Sequence, residues 1–147
     1  MIELTGDLWS YRTGHNWLAI TTNGDINSSG LAVMGRGVAL QATERFPSIA
    51  KELGWKIEHF GNRVHNFPHY HLATLPVKHH WQDLADPALI SKSLWQLYDL
   101  VGEMDIKKLY LPRPGCGSGR LKWEVVKPML EVLDDRFIIV NNEEAQS

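Results

Sequence analysis

The sequence has little cysteine, no long apolar run and no excess of charge of one sign, and each absence excludes a class of protein. Its single cysteine cannot form an internal disulfide. No apolar stretch approaches the ~20 residues needed to cross a bilayer, and the first residues lack the basic stretch and apolar run of a secretory signal. With 15 Lys and Arg against 17 Asp and Glu, the net charge is -2, so no overall field draws the chain onto nucleic acid or lipid. We therefore expect a soluble, cytoplasmic protein with no membrane partner.

The length and even composition of the chain predict a single domain. Its 147 residues fall within the roughly 100–200 that one globular domain usually takes. There is no internal repeat, low-complexity tract or Pro/Ser linker, and the composition does not shift between halves. We therefore expect residues 1–147 to form one domain.

Short strands and helices alternate along the chain. The apolar, β-branched run 17–22 predicts a buried strand, and no element is assigned before it. The helices are predicted from apolar spacing and end signals, at 38–46, at 48–54 with Ser48 as its cap, at 87–104 after the Asp86 cap, and at 123–134. The remaining strands are expected at 64–67 and 72–77 as a hairpin, at 107–111 and at 137–140. This alternation indicates an α/β sheet with helices on both faces.

Two loops that follow predicted strands and precede predicted helices are rich in glycine. The first contains Met34-Gly35-Arg36-Gly37 and the second Gly115-Cys116-Gly117-Ser118-Gly119. Glycine lets backbone N–H groups approach a ligand, and a following helix N-terminus adds partial positive charge, so each loop suits a phosphate and the pair suits a diphosphate. A tight turn with no ligand is the alternative for each. Neither GxxxxGK[ST] nor a full GxGxxG occurs, which disfavours an ATPase or a Rossmann dehydrogenase.

Five separated motifs, in order from residue 6 to about residue 133, resemble the macrodomain family. They are Gly6-Asp7-Leu8, Ile20-Thr21-Thr22-Asn23, Val33 to Gln41, Pro76 to Trp81, and Leu111 to Gly117 continuing through Trp123. The resemblance is closest to the branch that contains the DNA ADP-ribosyl glycohydrolase antitoxins and the terminal ADP-ribose glycohydrolases. It implies a three-layer α/β/α macrodomain fold with a central mixed sheet and a pocket for ADP-ribose.

The resemblance also assigns ligand contacts. It implies that Asp7 accepts a hydrogen bond from the adenine amino group, that Leu8 packs nearby, and that Asn23 positions the distal ribose as part of the catalytic set. The backbone expected to surround the diphosphate and distal ribose belongs to Met34, Gly35, Arg36, Gly37, Val38, Pro114, Gly115, Cys116, Gly117, Ser118, Gly119 and Arg120. Residues 24–32 lengthen the first loop relative to the antitoxins, so no contact is assigned to them.

Lys78 is the candidate catalytic residue. It follows the apolar Leu75-Pro76-Val77, and partial desolvation there would favour the neutral amine. On composition alone a solvated surface lysine is the simpler interpretation, but a lysine in this motif is catalytic in the branch that the sequence resembles. Its amine could attack the anomeric carbon of the distal ribose or donate a proton as the ring opens.

One departure from the family pattern bears on the mechanism. An aspartate assists the lysine in the terminal ADP-ribose glycohydrolases, and the matching position here is Gly119. This difference disfavours the covalent lysine mechanism and favours a resemblance to the DNA-directed antitoxins, which also lack that acid. The resemblance then implies a nucleic-acid base as the acceptor.

Other reactive side chains receive simpler interpretations. Five histidines (His65, His69, His71, His79 and His80) are clustered in sequence, but their spacing fits no known metal motif, so we expect no metal and place them at the rim over the distal ribose. Cys116 is expected to line the cradle rather than act as a nucleophile. Trp81 and Trp123 are expected to border the pocket, and Arg113, Arg120 and Lys122 either to meet a nucleic-acid phosphate or to form a solvated edge.

Taken together, these features predict an ADP-ribosyl glycohydrolase that needs no cofactor. The alternatives are a non-enzymatic ADP-ribose reader and an ADP-ribose 1''-phosphate phosphatase. The expected ligands are ADP-ribose and an ADP-ribosylated substrate, with ADP-ribosylated DNA and an ADP-ribosyltransferase toxin as candidate partners.

Overall fold

The computed structural model describes residues 1–142, and residues 143–147 lie outside the described part of the chain. A six-stranded mixed sheet is flanked by four α-helices. The strands are β1 (Ile2–Thr5), β2 (Trp17–Thr22), β3 (His65–Phe67), β4 (Leu72–Pro76), β5 (Leu109–Pro112) and β6 (Phe137–Asn141). The helices are α1 (Gly37–Arg45), α2 (Ile49–Phe60), α3 (Pro87–Glu103) and α4 (Trp123–Leu130), with short 3-10 turns at Leu8–Tyr11 and Pro68–Tyr70.

The strand order is β1-β6-β5-β2-β4-β3. All neighbouring pairs are parallel except β3 and β4, which form the antiparallel hairpin that the sequence predicts. The carboxyl ends of β5, β2 and β4 therefore meet at one edge of the sheet. In an open α/β sheet this edge is where ligands bind.

Side chains alternate between two cores, one on each face of the sheet. In β2, Leu18 and Ile20 pack with residues of α1 and α2, whereas Trp17 and Ala19 pack with residues of α3 and α4. This alternation is the period-2 pattern of a strand buried on both sides. The predicted three-layer α/β/α arrangement is confirmed.

Two predicted helices have the wrong ends. The helix predicted for 48–54 continues to Phe60, and Ser48 makes no side-chain capping bond. Gly54 therefore lies in the interior of α2 and does not mark its end. A glycine is needed at this position because a neighbouring loop approaches the helix closely there. The helix predicted for 123–134 ends at Leu130, and Pro128 lies in its second turn. The proline lacks the N–H that would reach the carbonyl four residues earlier, and the helix ends two residues later.

The strand ends differ less from the prediction, apart from one omission. β5 begins at Leu109 rather than at residue 107. β1 is absent from the prediction because its four residues are all exposed and it is an edge strand stabilised by pairing with β6, far away in sequence. No helix of the described residues is both long and apolar enough to cross a membrane. The single-domain assignment for 1–147 stays a prediction.

Candidate active site

A cavity of about 810 Å³ opens at the shared carboxyl edge of β2, β4 and β5. This volume is in the range of natural small-molecule sites. Its lining comes from five stretches of chain: 21–23, 33–41, 77–81, 112–123 and 140–142. Both glycine-bearing loops and the segment after β4 therefore face one space.

Most of the residues that the sequence assigns to ligand binding line this cavity. They are Asn23, Met34, Gly35, Arg36, Gly37, Val38, Lys78, Gly115, Cys116, Gly117, Ser118 and Gly119. Trp81 and Trp123 also border it, as predicted.

Four assigned residues are not among those that line the cavity. The Asp7 carboxylate accepts from the Trp9 backbone N–H at 3.1 Å and caps the first 3-10 turn, while Leu8 is buried in the core. Pro114 is buried behind the second loop, and the Arg120 side chain is exposed outside it. Asp7 and Leu8 follow Gly6, whose N–H donates to the Asn141 carbonyl at 3.0 Å, so they begin beside one end of the cavity.

The sequence analysis missed several lining residues. Gln41 lies one turn into α1, and Asn141 and Asn142 follow the core residues of β6. The two asparagines could have been predicted from the sequence, because polar residues that follow a parallel strand lie at the same edge of the sheet as the two glycine loops. Gln41 could not have been predicted in this way, since its position depends on how α1 packs.

The first loop is shaped by Asn23 and by the start of α1. Asn23 Nδ2 donates to the Val33 carbonyl at 3.0 Å, and its Oδ1 accepts from the Asp25 N–H at 2.9 Å. α1 begins at Gly37, where φ is 55°, and its N-cap residue Arg36 makes no side-chain capping bond. The first N–H groups of an α-helix have no intrahelical partner and carry partial positive charge. They are therefore suited to an anion in the cavity.

The long part of the first loop, residues 24–32, packs on α2 and does not line the cavity. The Ala32 N–H donates to the Ala50 carbonyl at 2.9 Å. A Cβ at Gly54 would lie 2.1 Å from the Gly30 carbonyl oxygen, so glycine is required for this close approach. The extra length of the loop is thus anchored to the scaffold.

The second loop forms a tight turn that excludes side chains at two positions. Gly115 has a φ of 75°, and the Leu121 N–H donates to its carbonyl at 2.9 Å. A Cβ at Gly119 would lie 2.6 Å from the Gly115 carbonyl oxygen and 2.7 Å from the Ala85 Cβ. Position 119 therefore cannot carry an acid without moving the backbone.

Lys78 lies between the two loops with its side chain buried. The residue is 6% exposed, and its Nζ donates to the Trp81 carbonyl at 3.3 Å and to Ser118 Oγ at 3.4 Å. Burial lowers the pKa of Lys78, and the positive charges of Arg36 and Arg120 lower it further, while Asp83 opposes the shift. This amine gives up its proton more readily than an ordinary lysine.

The cavity is electropositive. No Asp, Glu or His is found among its described lining residues, whereas Arg36, Lys78 and Arg113 carry positive charge. Burial raises the pKa of the Cys116 thiol, so it stays protonated at neutral pH. Because its pKa is lowered, Lys78 is the lining residue best able to transfer a proton.

The segment after Lys78 is attached to the first loop through Asp25. Its Oδ1 bonds His80 Nδ1 at 2.9 Å, and its Oδ2 accepts from the Trp81 N–H at 2.8 Å. The bond to Asp25 raises the pKa of His80. Burial alone would raise the pKa of the Asp25 carboxyl, but the hydrogen bonds from His80 and Trp81 lower it below its ordinary value. These bonds hold the lysine, the tryptophan and the loop together.

The five clustered histidines do not form a rim over the cavity, contrary to the prediction, because each has a separate partner. These are the Gly61 carbonyl for His65, Glu52 for His69, the Trp17 ring for His71, Asp86 for His79 and Asp25 for His80. Within residues 1–142, no group of three or more His, Cys, Asp or Glu side chains could hold a metal ion.

Arg113 and Trp123 both line the cavity and contact each other. The Arg113 guanidinium carbon lies 4.7 Å from the centroid of the Trp123 ring, and Nε of Arg113 is buried with no hydrogen-bond partner in the described residues. Arg120 and Lys122 are exposed at the edge beside the second loop. Arg113 is thus the one of these three cations that faces the cavity.

Comparison with solved structures finds the same fold in other proteins. The macrodomain of Mycobacterium tuberculosis DarG is similar, with a TM-score of 0.77 and 26% identity, over 96% of this chain and 97% of that one. Thermosipho africanus DarTG in complex with ADP-ribose shares the fold at 23% identity and a TM-score of 0.62, over 95% of this chain and 43% of that one.

Comparison with curated sequences finds longer proteins. The DNA ADP-ribosyl glycohydrolase of M. tuberculosis is 30% identical over 112 residues, covering 68% of this chain and 31% of that protein. A DNA ADP-ribosyl transferase-DNA ADP-ribosyl glycohydrolase fusion protein from T. africanus is 26% identical over 124 residues, 68% of this chain and 32% of that protein. The matches thus span about a third of the length of these relatives. No family model matches the chain.

Proposed function

This chain belongs to the macrodomain family, and from that premise we propose that it binds ADP-ribose in the cavity and hydrolyses an ADP-ribosyl linkage there, releasing ADP-ribose from a modified nucleic-acid base or protein side chain. The observation that carries the proposal is the cavity itself. It has two backbone loops suited to an anion, a buried lysine between them, and no carboxylate in its described lining.

The diphosphate fits between the two glycine loops. The start of α1 at Gly37 and the backbone of Gly117 to Gly119 both line the cavity and would supply N–H groups to the diphosphate. With the diphosphate bound there, the distal ribose extends toward Lys78 and Asn23, and the adenosine toward Gln41 and Asn141. An aqueous diphosphate carries negative charge, which Arg36 and Arg113 offset.

The adenine contact of Asp7 stays a prediction, and it requires that the carboxylate accept a second hydrogen bond. Its carboxylate is committed to the Trp9 N–H in this structure, so accepting from an adenine amino group uses its remaining lone pairs or its second oxygen. The bond between Gly6 and Asn141 keeps this residue next to the adenosine end of the cavity.

Hydrolysis requires that the bond from the anomeric carbon to the acceptor breaks, that the acceptor leaves with the electron pair and gains a proton, and that the hydroxyl of water ends on the carbon. Most glycosidases use two carboxylates for these proton transfers. The described lining has none, so the ribose and its acceptor meet Lys78 instead. We assign Lys78 as the proton donor, because Gly119 leaves no room for the acid that would assist a covalent lysine route.

The acceptor and the partner follow from the relatives. The curated relatives are named for DNA, and one is fused to a DNA ADP-ribosyl transferase. We infer that this chain removes ADP-ribose from a nucleic-acid base and that it opposes a transferase of that kind.

A non-enzymatic reader is the second candidate, and one observation favours it. Lys78 Nζ already bonds the Trp81 carbonyl and Ser118 Oγ, so the lysine also connects the two sides of the cavity. A reader would use the same two loops and would not need the proton of this amine.

The deciding experiment compares wild type with Lys78→Ala, using Lys92→Ala, an exposed lysine of α3, as the control. Turnover is measured on ADP-ribosylated DNA, ADP-ribosylated protein and ADP-ribose 1''-phosphate, and ADP-ribose binding by calorimetry. We expect Lys78→Ala to lose about 10²–10⁴-fold in kcat on the DNA substrate, the usual contribution of a positioned acid, while still binding ADP-ribose.

Each contrary result has its own meaning. If Lys78→Ala turns over as fast as wild type, the assignment of Lys78 is wrong. If wild type binds ADP-ribose but turns over none of the three substrates, the protein is a reader. If calorimetry detects no ADP-ribose binding, the whole proposal fails.

A further inference from the structure

Trp81 is a large aromatic side chain left exposed at the mouth of the cavity. It is 42% exposed and lies three residues after Lys78, at the edge of the space into which the acceptor would project. Trp55 and Trp95 are also exposed, at 53% and 60%, but neither lines the cavity. Trp81 therefore offers an aromatic surface to whatever is joined to the distal ribose.

The backbone of Trp81 is fixed on both sides. Its N–H donates to Asp25 Oδ2 at 2.8 Å, and its carbonyl accepts from Lys78 Nζ at 3.3 Å. One hydrogen bond thus separates the residue that carries the ring from the amine proposed to donate the proton. A group leaving from a carbon beside that amine lies within reach of the indole.

Arg36 adds a second planar group at the same place. Its guanidinium carbon lies 5.7 Å from the centroid of the Trp81 ring, within cation–π range, and its charge also acts on Lys78. Nucleobases stack on aromatic rings and on guanidinium planes alike. A carboxylate acceptor on a protein side chain would gain from the arginine but would have little flat surface to place on the indole.

We propose that Trp81 and Arg36 form the subsite for the leaving group and that this subsite takes a planar nucleobase. The inference rests on the proposed function and extends it by naming the residues that select the acceptor. Trp81 is then a specificity-determining residue, because it touches the leaving base and not the reacting bond.

The test compares two substrates that share the ADP-ribosyl group but differ in what leaves. One is an oligonucleotide ADP-ribosylated on a base by a DNA ADP-ribosyl transferase, and the other is a peptide ADP-ribosylated on a glutamate side chain, whose leaving carboxylate departs from the same anomeric carbon but has no ring. Trp81→Ala removes the stacking surface, Trp81→Phe keeps a smaller one, and Trp55→Ala is a matched control on an exposed tryptophan of α2.

We expect Trp81→Ala to lower kcat/KM on the oligonucleotide by about 5- to 150-fold, the value of one base stacked on an aromatic ring. Trp81→Phe should restore most of this loss. On the glutamate-linked peptide, whose leaving group has nothing to stack on the indole, the Trp81 variants should lose much less than on the oligonucleotide. Trp55→Ala should stay within about twofold of wild type on both substrates, as surface changes do. An equal loss on both substrates would overturn the proposal, because it would mean that Trp81 only supports Lys78.

A binding measurement separates this inference from the proposed hydrolysis. In Lys78→Ala, which should not consume its ligand, affinities are measured for free ADP-ribose and for the ADP-ribosylated oligonucleotide. The modified oligonucleotide should bind more tightly, and adding Trp81→Ala should remove most of that advantage without weakening free ADP-ribose. If the advantage survives in the double variant, Trp81 does not contact the base, whether or not the wild type proves to be a hydrolase.

Discussion

Lys78 is a buried lysine whose pKa the fold lowers, so its proposed role as a proton donor predicts a particular dependence of the rate on pH. As a proton donor it is active while protonated, so activity is present at lower pH and is lost as the pH rises through its pKa. Because burial and the charges of Arg36 and Arg120 hold that pKa below the ordinary 10.5, we expect kcat to fall on the alkaline side at a lower pH than an ordinary lysine would give. A pH profile of kcat at saturating substrate measures this.

The same experiment distinguishes the proton donor from a nucleophile. A nucleophilic amine must be neutral, so its rate would rise with pH through the same pKa, and borohydride would trap an adduct of the ribose on Lys78. We expect no such adduct by mass spectrometry. A trapped adduct together with a rising limb would show that the lysine attacks carbon.

The substitution Gly119→Asp tests whether steric crowding explains the absence of the assisting aspartate. Placing an aspartate there puts its Cβ 2.6 Å from the Gly115 carbonyl oxygen and 2.7 Å from the Ala85 Cβ. We expect Gly119→Asp to weaken ADP-ribose binding, because the second loop must shift, and to lower the unfolding free energy by about 1–3 kcal/mol, as overpacking does. Calorimetry and urea denaturation measure the two effects, and a gain in activity would contradict them.

The sequence predicted many of the residues that line the cavity, but it did not predict the hydrogen bonds that hold them in place. Lys78 and both glycine loops follow predicted strands, and parallel strands bring such residues to one edge. The contacts that refine the site join residues far apart in the chain, as when Asp25 holds His80 and the Trp81 backbone. No local pattern predicts a bond between residues 25 and 80, since it depends on how the loops fold over the sheet.

At the scale of elements, Gly54 allows the first loop to pack closely against α2. Alanine in the interior of a helix is normally more stable than glycine by about 0.5–1 kcal/mol. At position 54 we expect the opposite sign, a loss of about 1–3 kcal/mol in the unfolding free energy, because the added Cβ would lie 2.1 Å from the Gly30 carbonyl oxygen.

Gly102→Ala is the control for this substitution. Gly102 lies in α3, and a Cβ there would meet nothing within 4 Å, so alanine should stabilise by the usual amount. Urea denaturation of both variants gives the comparison. If Gly54→Ala stabilises as Gly102→Ala does, the loop is not held by this contact.

Element boundaries followed the sequence where a local signal ended the element. α3 begins at Pro87 behind the Asp86 cap, as predicted, because the carboxylate accepts from the Ala88 N–H at 2.9 Å. The predicted end of α2 was wrong because glycine often ends a helix, whereas Gly54 is required by a tertiary contact with Gly30. β1 was missed because its stability comes from pairing with β6, which local patterns do not record.

At the scale of the whole molecule, the single cysteine reports on the cavity. Cys116 is half-buried in the second loop and lines the proposed diphosphate site. We expect saturating ADP-ribose to slow alkylation of this thiol by covering it. Intact-mass spectrometry detects the product without ambiguity, because the chain has one cysteine. Equal alkylation rates with and without the ligand would contradict binding at this loop.

Denatured protein and free AMP serve as the two controls. Denatured chain should react rapidly, because burial no longer raises the pKa of the thiol. AMP lacks the diphosphate and distal ribose, so it should protect less than ADP-ribose at the same concentration.

The alternation of strands and helices was enough to predict an α/β sheet with helices on both faces, because a connection between parallel strands must return over one face of the sheet. It was not enough to give the strand order, in which β5 and β2 are neighbours although α1, α2 and α3 separate them in sequence. That neighbourhood decides which loops share a cavity.

The order of the strands has a consequence for how such a protein can diversify. β5, β2 and β4 are adjacent and parallel, so three independent connections start from neighbouring points about 4.8 Å apart. Each connection can be lengthened or rewritten by mutation while the backbone ladders keep its point of departure unchanged. A lineage can thus acquire a new substrate by altering one connection and inheriting the other two intact.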